Sequence, residues 1–90
     1  MNQDFKKWIV EKIAESFEHQ EDAITQFLFT LKREPQRVKT FIADRLKKWC
    51  SAYANQTQNI FIPSANDTDE IFDSLCNCFA PELELIPETA

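Results

Sequence analysis

The sequence contains no glycine among its 90 residues. Glycine is the usual residue wherever the backbone takes a positive φ or passes close to a ligand. Phosphate loops of the Walker and dinucleotide types, the turn of an EF-hand loop and the tightest β-hairpins all depend on it. Its absence therefore excludes those structures in their usual form.

The sequence also lacks long apolar runs and disulfide-type cysteine pairs. No stretch approaches the roughly 18 consecutive apolar residues of a membrane-spanning helix, and residues 1–7 show no apolar signal-peptide region. Cys50, Cys76 and Cys78 are odd in number, whereas a disulfide framework uses pairs. We therefore expect reduced thiols and a cytoplasmic protein.

Aromatic residues, by contrast, are abundant. The chain has eight Phe, two Trp and one Tyr, and 43% of its residues are apolar. One small domain of this length buries only about 60–65% of its unfolded surface. The surplus favours a surface that self-associates or binds a partner.

The net charge of −5 is unevenly distributed. Residues 1–31 have three lysines and six acidic residues, giving −3, and residues 32–48 have seven bases and two acids, giving +5. Residues 49–90 have seven acids and no base, giving −7. The oppositely charged segments either pair with each other or attract a charged partner.

The spacing of apolar residues predicts four helices. The first fades near His19, Pro35 separates the second from the third, and the third runs to about Ala54. The fourth begins at a cap on Asp67 or Thr68. The predicted apolar stripes are Phe5, Ile9, Ile13, Ser16 and Phe17; Ile24, Phe27, Leu28 and Leu31; Val38, Phe41, Ile42, Leu46, Trp49 and Tyr53; and Ile71, Phe72, Leu75 and Phe79.

These elements predict an all-α fold, a compact antiparallel bundle of three to four amphipathic helices with a polar loop before the last helix. The loop, residues 55–66, is uncharged, and we expect its short apolar knot at residues 60–63 to plug the core. Residues 1–80 form the predicted helical domain. Residues 81–90 form an acidic, Pro-flanked tail, in which Pro81 stops the fourth helix or begins a short final turn.

Metal binding is not favoured by the available ligands. Cys50, Cys76, Cys78 and His19 make a nominal Cys₃His set, but structural zinc sites place two to four residues between paired cysteines. A Cys-x-Cys pair on a helix directs its sulfurs about 200° apart. The acidic residues Asp67–Asp73 lack the glycine and glutamate of an EF-hand loop. We predict no metal and no cofactor.

Catalysis is not favoured either. His19, the only histidine, lies at a predicted helix end, where a protonated imidazole suits the negative terminus. Positive charge from Lys47 and Lys48 is expected to lower the pKa of Cys50, but no helix N-terminus or paired histidine is evident beside it. We predict that the protein is not an enzyme and has no catalytic residues.

A nucleic-acid-binding regulator that uses the basic segment 32–48 is an alternative prediction. The second and third helices resemble the first two helices of a helix-turn-helix unit, but a polar loop and an acidic helix follow where a basic recognition helix is needed. Two of the seven bases of this segment precede Pro35, and the other five surround the third helix and do not form one strip. The seven are Lys32, Arg33, Arg37, Lys39, Arg45, Lys47 and Lys48.

The leading prediction is a non-enzymatic protein-binding module of the inhibitor, immunity or adaptor type, which occludes or bridges a partner protein and forms a homodimer. Phe29 lies nearly opposite the apolar stripe of its helix, so either a partner or another part of the fold covers it; aromatics and arginines are common interface anchors. The acidic fourth helix docks on a basic partner or on the basic segment of its own chain. The predicted partner-binding residues are Trp8, Phe29, Lys32, Arg33, Arg37, Lys48, Asp69, Glu70 and Asp73.

Overall fold

The protein is all-helical in the computed structural model, which describes residues 3–58, 62 and 64–87. These residues form five helices and no strand: α1 (Gln3–Ser16), α2 (Glu21–Arg33), α3 (Pro35–Thr57), α4 (Ala65–Cys78) and α5 (Ala80–Glu84). The predicted all-α class is confirmed. A fifth, short helix follows the predicted four, with Pro81 in its first turn. None of the described helices has the length and apolar character needed to cross a lipid bilayer.

The junction between α2 and α3 follows from local sequence. Glu21 and Asp22 stand in the first turn of α2 and Lys32 and Arg33 in its last, so both ends complement the helix dipole. Pro35 is the first residue of α3, a position where the missing N–H costs no hydrogen bond. The predicted break at Pro35 is confirmed.

The absence of glycine is visible where two helices end. His19, just beyond α1, has φ 62°, and Gln58, at the C-terminus of α3, has φ 60°. Helices commonly end in this left-handed conformation, usually on glycine. For a residue with a Cβ, that conformation costs about 1–2 kcal/mol in steric strain. Gln58 therefore ends α3 in the usual way but at a cost in stability, and His19 carries the same strain in the turn that follows α1.

The start of α4 differs from the prediction. Its N-cap is Ser64, three or four residues before the predicted cap at Asp67 or Thr68. Ser64 and Asp67 form a capping box, in which the backbone N–H of Ser64 donates to Asp67 Oδ2 at 2.6 Å. Asp67 is only 3% exposed. It therefore fixes the start of the helix and is not part of an acidic outer face.

Helix α4 lies against both α1 and α3, α2 lies against α3, and the core forms along these contacts. Each fully buried aliphatic or aromatic side chain stabilises the fold by about 1.5–3 kcal/mol relative to an exposed one. The core cluster consists of Phe5, Ile9, Ile13, Leu31, Val38, Ile42, Leu46, Cys50, Tyr53, Ile71 and Leu75.

Two predictions about the core are wrong. Phe41, placed on the apolar stripe of the third helix, is 38% exposed. Ile62, part of the apolar knot expected to plug the core, is 85% exposed. The rest of that knot, residues 60, 61 and 63, lies outside the described residues.

An aromatic cluster joins the beginning of α1 to the end of α3. The ring of Tyr53 lies 5.1 Å from that of Phe5 and 5.5 Å from that of Trp8, measured between centroids. The indole Nε1–H of Trp8 also donates to Gln56 Oε1 at 3.1 Å. These contacts hold α1 and α3 together at one end, and the site described next opens nearer their other ends.

Candidate functional site

A solvent-open groove of about 420 Å³ lies between the C-terminal half of α1, helix α2 and the first half of α3. Helix α4 covers the opposite side of α1 and α3. The groove is lined by Lys12, Ile13, Ser16, Phe17, Phe27, Thr30, Arg37, Val38, Phe41, Arg45 and Trp49.

The groove combines an apolar surface with positive charge. Six of its lining residues are aliphatic or aromatic, two carry hydroxyl groups and three are the bases Lys12, Arg37 and Arg45. None of the lining residues is acidic, although the chain as a whole carries −5. Lys12 pairs with Glu15 at 3.8 Å and Arg37 with Glu34 at 3.5 Å, both acids lying just outside the lining. Arg45, which lies over the Phe41 ring, is therefore the base that most directly offers its charge to an acidic ligand.

The edge of the groove on α3 is built from residues one and two turns apart. The guanidinium of Arg45 lies 4.0 Å from the centre of the Phe41 ring, within the range of a cation–π contact. The rings of Phe41 and Trp49 are 6.3 Å apart and meet edge to face. Because Phe41 contacts both Arg45 and Trp49, this edge of the groove presents an aromatic surface with the Arg45 guanidinium beside it.

These groove residues were absent from the predicted site. The apolar stripe was interpreted as a single core-facing surface, but α4 covers only its Ile42 side, and Phe41 and Trp49 are left partly exposed. A sequence signal does exist: Phe41, Arg45 and Trp49 follow one another at spacings of four, on one edge of the helix.

Three predicted site residues, Phe29, Arg33 and Arg37, meet in a second depression of about 380 Å³. Phe29 is half-buried under the guanidinium of Arg33, which lies 4.6 Å from its ring centre. Phe29 is therefore neither a core residue nor a bare surface residue. Thr30 and Arg37 line both depressions, so the two form adjoining parts of one surface.

Other predicted site residues make contacts within the chain. Lys32 Nζ donates to the carbonyl oxygen of Leu83 at 3.0 Å. Lys39, a member of the basic segment, pairs with the predicted site residue Asp69 at 3.4 Å. The basic segment is thus partly matched by acidic and carbonyl groups of the chain's own C-terminal half.

The remaining predicted site residues lie apart from the groove lining. Trp8 belongs to the aromatic cluster at the end of α3. Lys48 is exposed on α3, whereas Glu70 is half-buried and Asp73 exposed on α4. The structure therefore does not unite the predicted residues in a single site.

The cysteines lie in different environments. Cys50 is buried, and burial raises the pKa of its thiol, with a further increase from the negative charge of Asp67. The predicted lowering by nearby lysines is therefore wrong. Burial also raises the pKa of Cys76, aided by Asp73 and opposed by Lys39.

Cys50 and His19 do not come together in the part of the chain that the structure describes. The side chain of His19 is 91% exposed, whereas Cys50 is buried, so the two do not share a cleft. No group of three or more His, Cys, Asp or Glu side chains in the described ranges is arranged to hold a metal ion.

No family model, curated protein or solved structure matches this chain. The groove itself is therefore the basis for a functional proposal.

Proposed function

We propose that this protein is a non-enzymatic protein-binding module that holds its partner in the groove between α1, α2 and α3. The observation that carries the proposal is an exposed aromatic surface bordered by three bases and no acidic lining residue. Aromatic and arginine side chains supply a large share of binding energy at protein interfaces. The module acts by occluding its partner or by bridging it to another protein.

The shape of the groove suits a peptide segment. Phe41 and Trp49 are separated by about two helical turns, and their edge-to-face pair gives the groove an elongated apolar wall. Grooves of this kind accept amphipathic segments through a few apolar anchors. The cations Lys12, Arg37 and Arg45 favour a segment whose apolar anchor is flanked by Asp or Glu.

Contacts of the basic segment favour a protein partner over nucleic acid. Lys32 and Arg33 bond to carbonyl oxygens near the C-terminus, and Lys39 pairs with Asp69. A protein that relies on phosphate contacts needs such bases available together on one face. Tight, salt-sensitive binding to duplex DNA or RNA would favour the alternative function.

The test compares a groove variant with a matched surface variant. Immobilised wild-type protein is used to capture partners from the native lysate, and each captured protein is then produced and titrated directly. Phe41→Ala should weaken binding about tenfold or more if Phe41 is an anchor. Ile62→Ala also shortens an exposed apolar residue, but outside the groove lining, and should leave affinity unchanged.

If the wild type and both variants bind the partner equally well, the groove is not the binding site. Helicity and melting temperature are measured for each variant, so that a loss of binding is separated from a loss of folding. We further propose that the helices pack as an antiparallel bundle and that the protein acts in the cytoplasm, where its partner is another cytoplasmic protein.

A further inference from the structure

The segment that follows α4 is anchored on α2 through its backbone. Lys32 Nζ donates to the carbonyl oxygen of Leu83 at 3.0 Å, and Arg33 Nε donates to that of Pro87 at 3.1 Å. Leu83 packs against the core, whereas Leu85 is 85% exposed. The fold therefore holds this segment in place while a leucine side chain faces solvent.

The charge of this segment is opposite to that of the groove. Glu82 and Glu84 are exposed close to Leu85, and residues 81–87 contain no base. The groove has three bases and no acidic residue in its lining. Lys12 pairs with Glu15 and Arg37 with Glu34, so Arg45 on the Phe41 ring is the base that a docked acid meets most directly. A leucine flanked by glutamates thus has the chemistry that the aromatic, basic groove accepts.

Leu85 does not fill the groove of its own chain, because it is almost fully exposed and absent from the groove lining. We propose that the occupant is residues 82–86 of a second copy, with Leu85 as the apolar anchor, in a reciprocal homodimer. The proposal rests on the groove being a protein-binding surface, as proposed above. Reciprocal docking about a two-fold axis gives each protomer one filled groove and is the commonest form of closed oligomer.

Sedimentation velocity from about 1 µM to about 500 µM tests the proposal over the range in which weak dimers dissociate. The wild-type mass should rise from 10.6 kDa towards twice that value. Leu85→Ser should raise the dissociation constant at least about tenfold, because each dimer loses two apolar contacts. Ile62→Ser is the matched control, since Ile62 is also 85% exposed, and should dimerise like the wild type.

A charge exchange separates specific docking from general stickiness. Arg45→Glu places an acid in the groove, and Glu84→Arg places a base in the docking segment, so each variant alone should dimerise less than the wild type. Mixed together, they should form a heterodimer, because one groove then meets its segment as Glu with Arg and the other as Arg with Glu. Circular dichroism verifies that both variants are folded.

A wild-type chain that stays at 10.6 kDa throughout the range, or a Leu85→Ser variant that dimerises as well as the wild type, would overturn the proposal. Either result leaves the groove's role in binding another protein intact, since that role is measured by the effect of Phe41→Ala on a foreign partner. If binding of a foreign partner does not depend on Phe41 while the dimer still requires Leu85, the proposed function is contradicted instead.

Discussion

The two sides of α3 both carry large apolar residues, but one side is buried and the other is partly exposed. On one side Ile42 is 0% exposed and Leu46 6% exposed, against the core shared with α4. On the other side Phe41 is 38% exposed and Trp49 is half-buried at the edge of the groove. The difference lies in what covers each side, since both sides carry large apolar residues.

The comparison shows how a small domain uses an excess of aromatic residues. Helix α4 packs on α1 and α3 and covers one side, while the aromatic cluster of Phe5, Trp8 and Tyr53 fixes the far end of α1 on α3. Apolar side chains beyond that cover remain at the surface, where three bases border them. One side of the helix therefore stabilises the fold, and we propose that the other serves binding.

The largest expected effect is on the covered side. Ile42→Ala removes a fully buried side chain and should lower the free energy of unfolding by about 2–5 kcal/mol. Phe41→Ala removes a larger but partly exposed side chain and should cost about 1 kcal/mol or less. Urea denaturation followed by circular dichroism measures both. Equal losses would mean that the groove side is also core.

An intermediate effect is expected at the helix ends. Gln58→Gly and His19→Gly relieve left-handed strain and should each raise the free energy of unfolding by about 0.5–1 kcal/mol. Lys47→Gly, at an exposed position within α3, is the control and should lower it by about 1 kcal/mol. Thermal melts distinguish the signs. A stabilised Gln58→Gly background would keep variants on both sides of α3 folded, so that their losses of stability could be measured under the same conditions.

The smallest expected effect on stability concerns the thiols, and it appears only at alkaline pH. The pKa values of Cys50 and Cys76 are raised from 9.0, so the unfolded chain releases these protons at lower pH than the folded chain. The free energy of unfolding should therefore fall as the pH rises above about 9. Cys50→Ala combined with Cys76→Ala should flatten that slope.

Alkylation at neutral pH gives a second measurement of the same difference. Exposed Cys78 should react first and buried Cys50 last, because both burial and a raised pKa limit the thiolate. Peptide mass spectrometry after a short exposure ranks the three sites. Fast labelling of Cys50 in the folded chain would contradict its place on the covered side of α3.

Local patterns predicted the helices well but the capping of α4 poorly. The break at Pro35 and the end of α1 near His19 follow from single-residue backbone preferences and a fading apolar period. The sequence predicts a cap for α4 at Asp67 or Thr68, because both residue types suit a helix N-terminus. Asp67 instead stands at the third position of the helix, where its carboxylate accepts a hydrogen bond from the Ser64 N–H. An aspartate suits both the N-cap and the third position, so its residue type does not distinguish them.

The candidate site was only partly predictable. Phe29, Arg33 and Arg37 do meet on one surface. Phe41 and Trp49 are assigned to the core by the sequence, since a wide apolar stripe does not show where its cover ends, and Arg45 only to the alternative nucleic-acid site. The C-terminal segment was predicted to be acidic, and its attachment to Lys32 and Arg33 depends on the position of α5 against α2.

By itself the sequence determined the helical class and the main breaks between helices, because these depend on local backbone preferences. It also determined the opposition of charged segments, which follows from the numbers of acidic and basic residues in each segment. The tertiary structure alone decided that Ile42 is covered while Phe41 is not, and that Asp67 is buried. The physical reason is that burial depends on which neighbour occupies the adjacent space. In this chain α4 fills one side of α3, and on the other the described residues leave a groove.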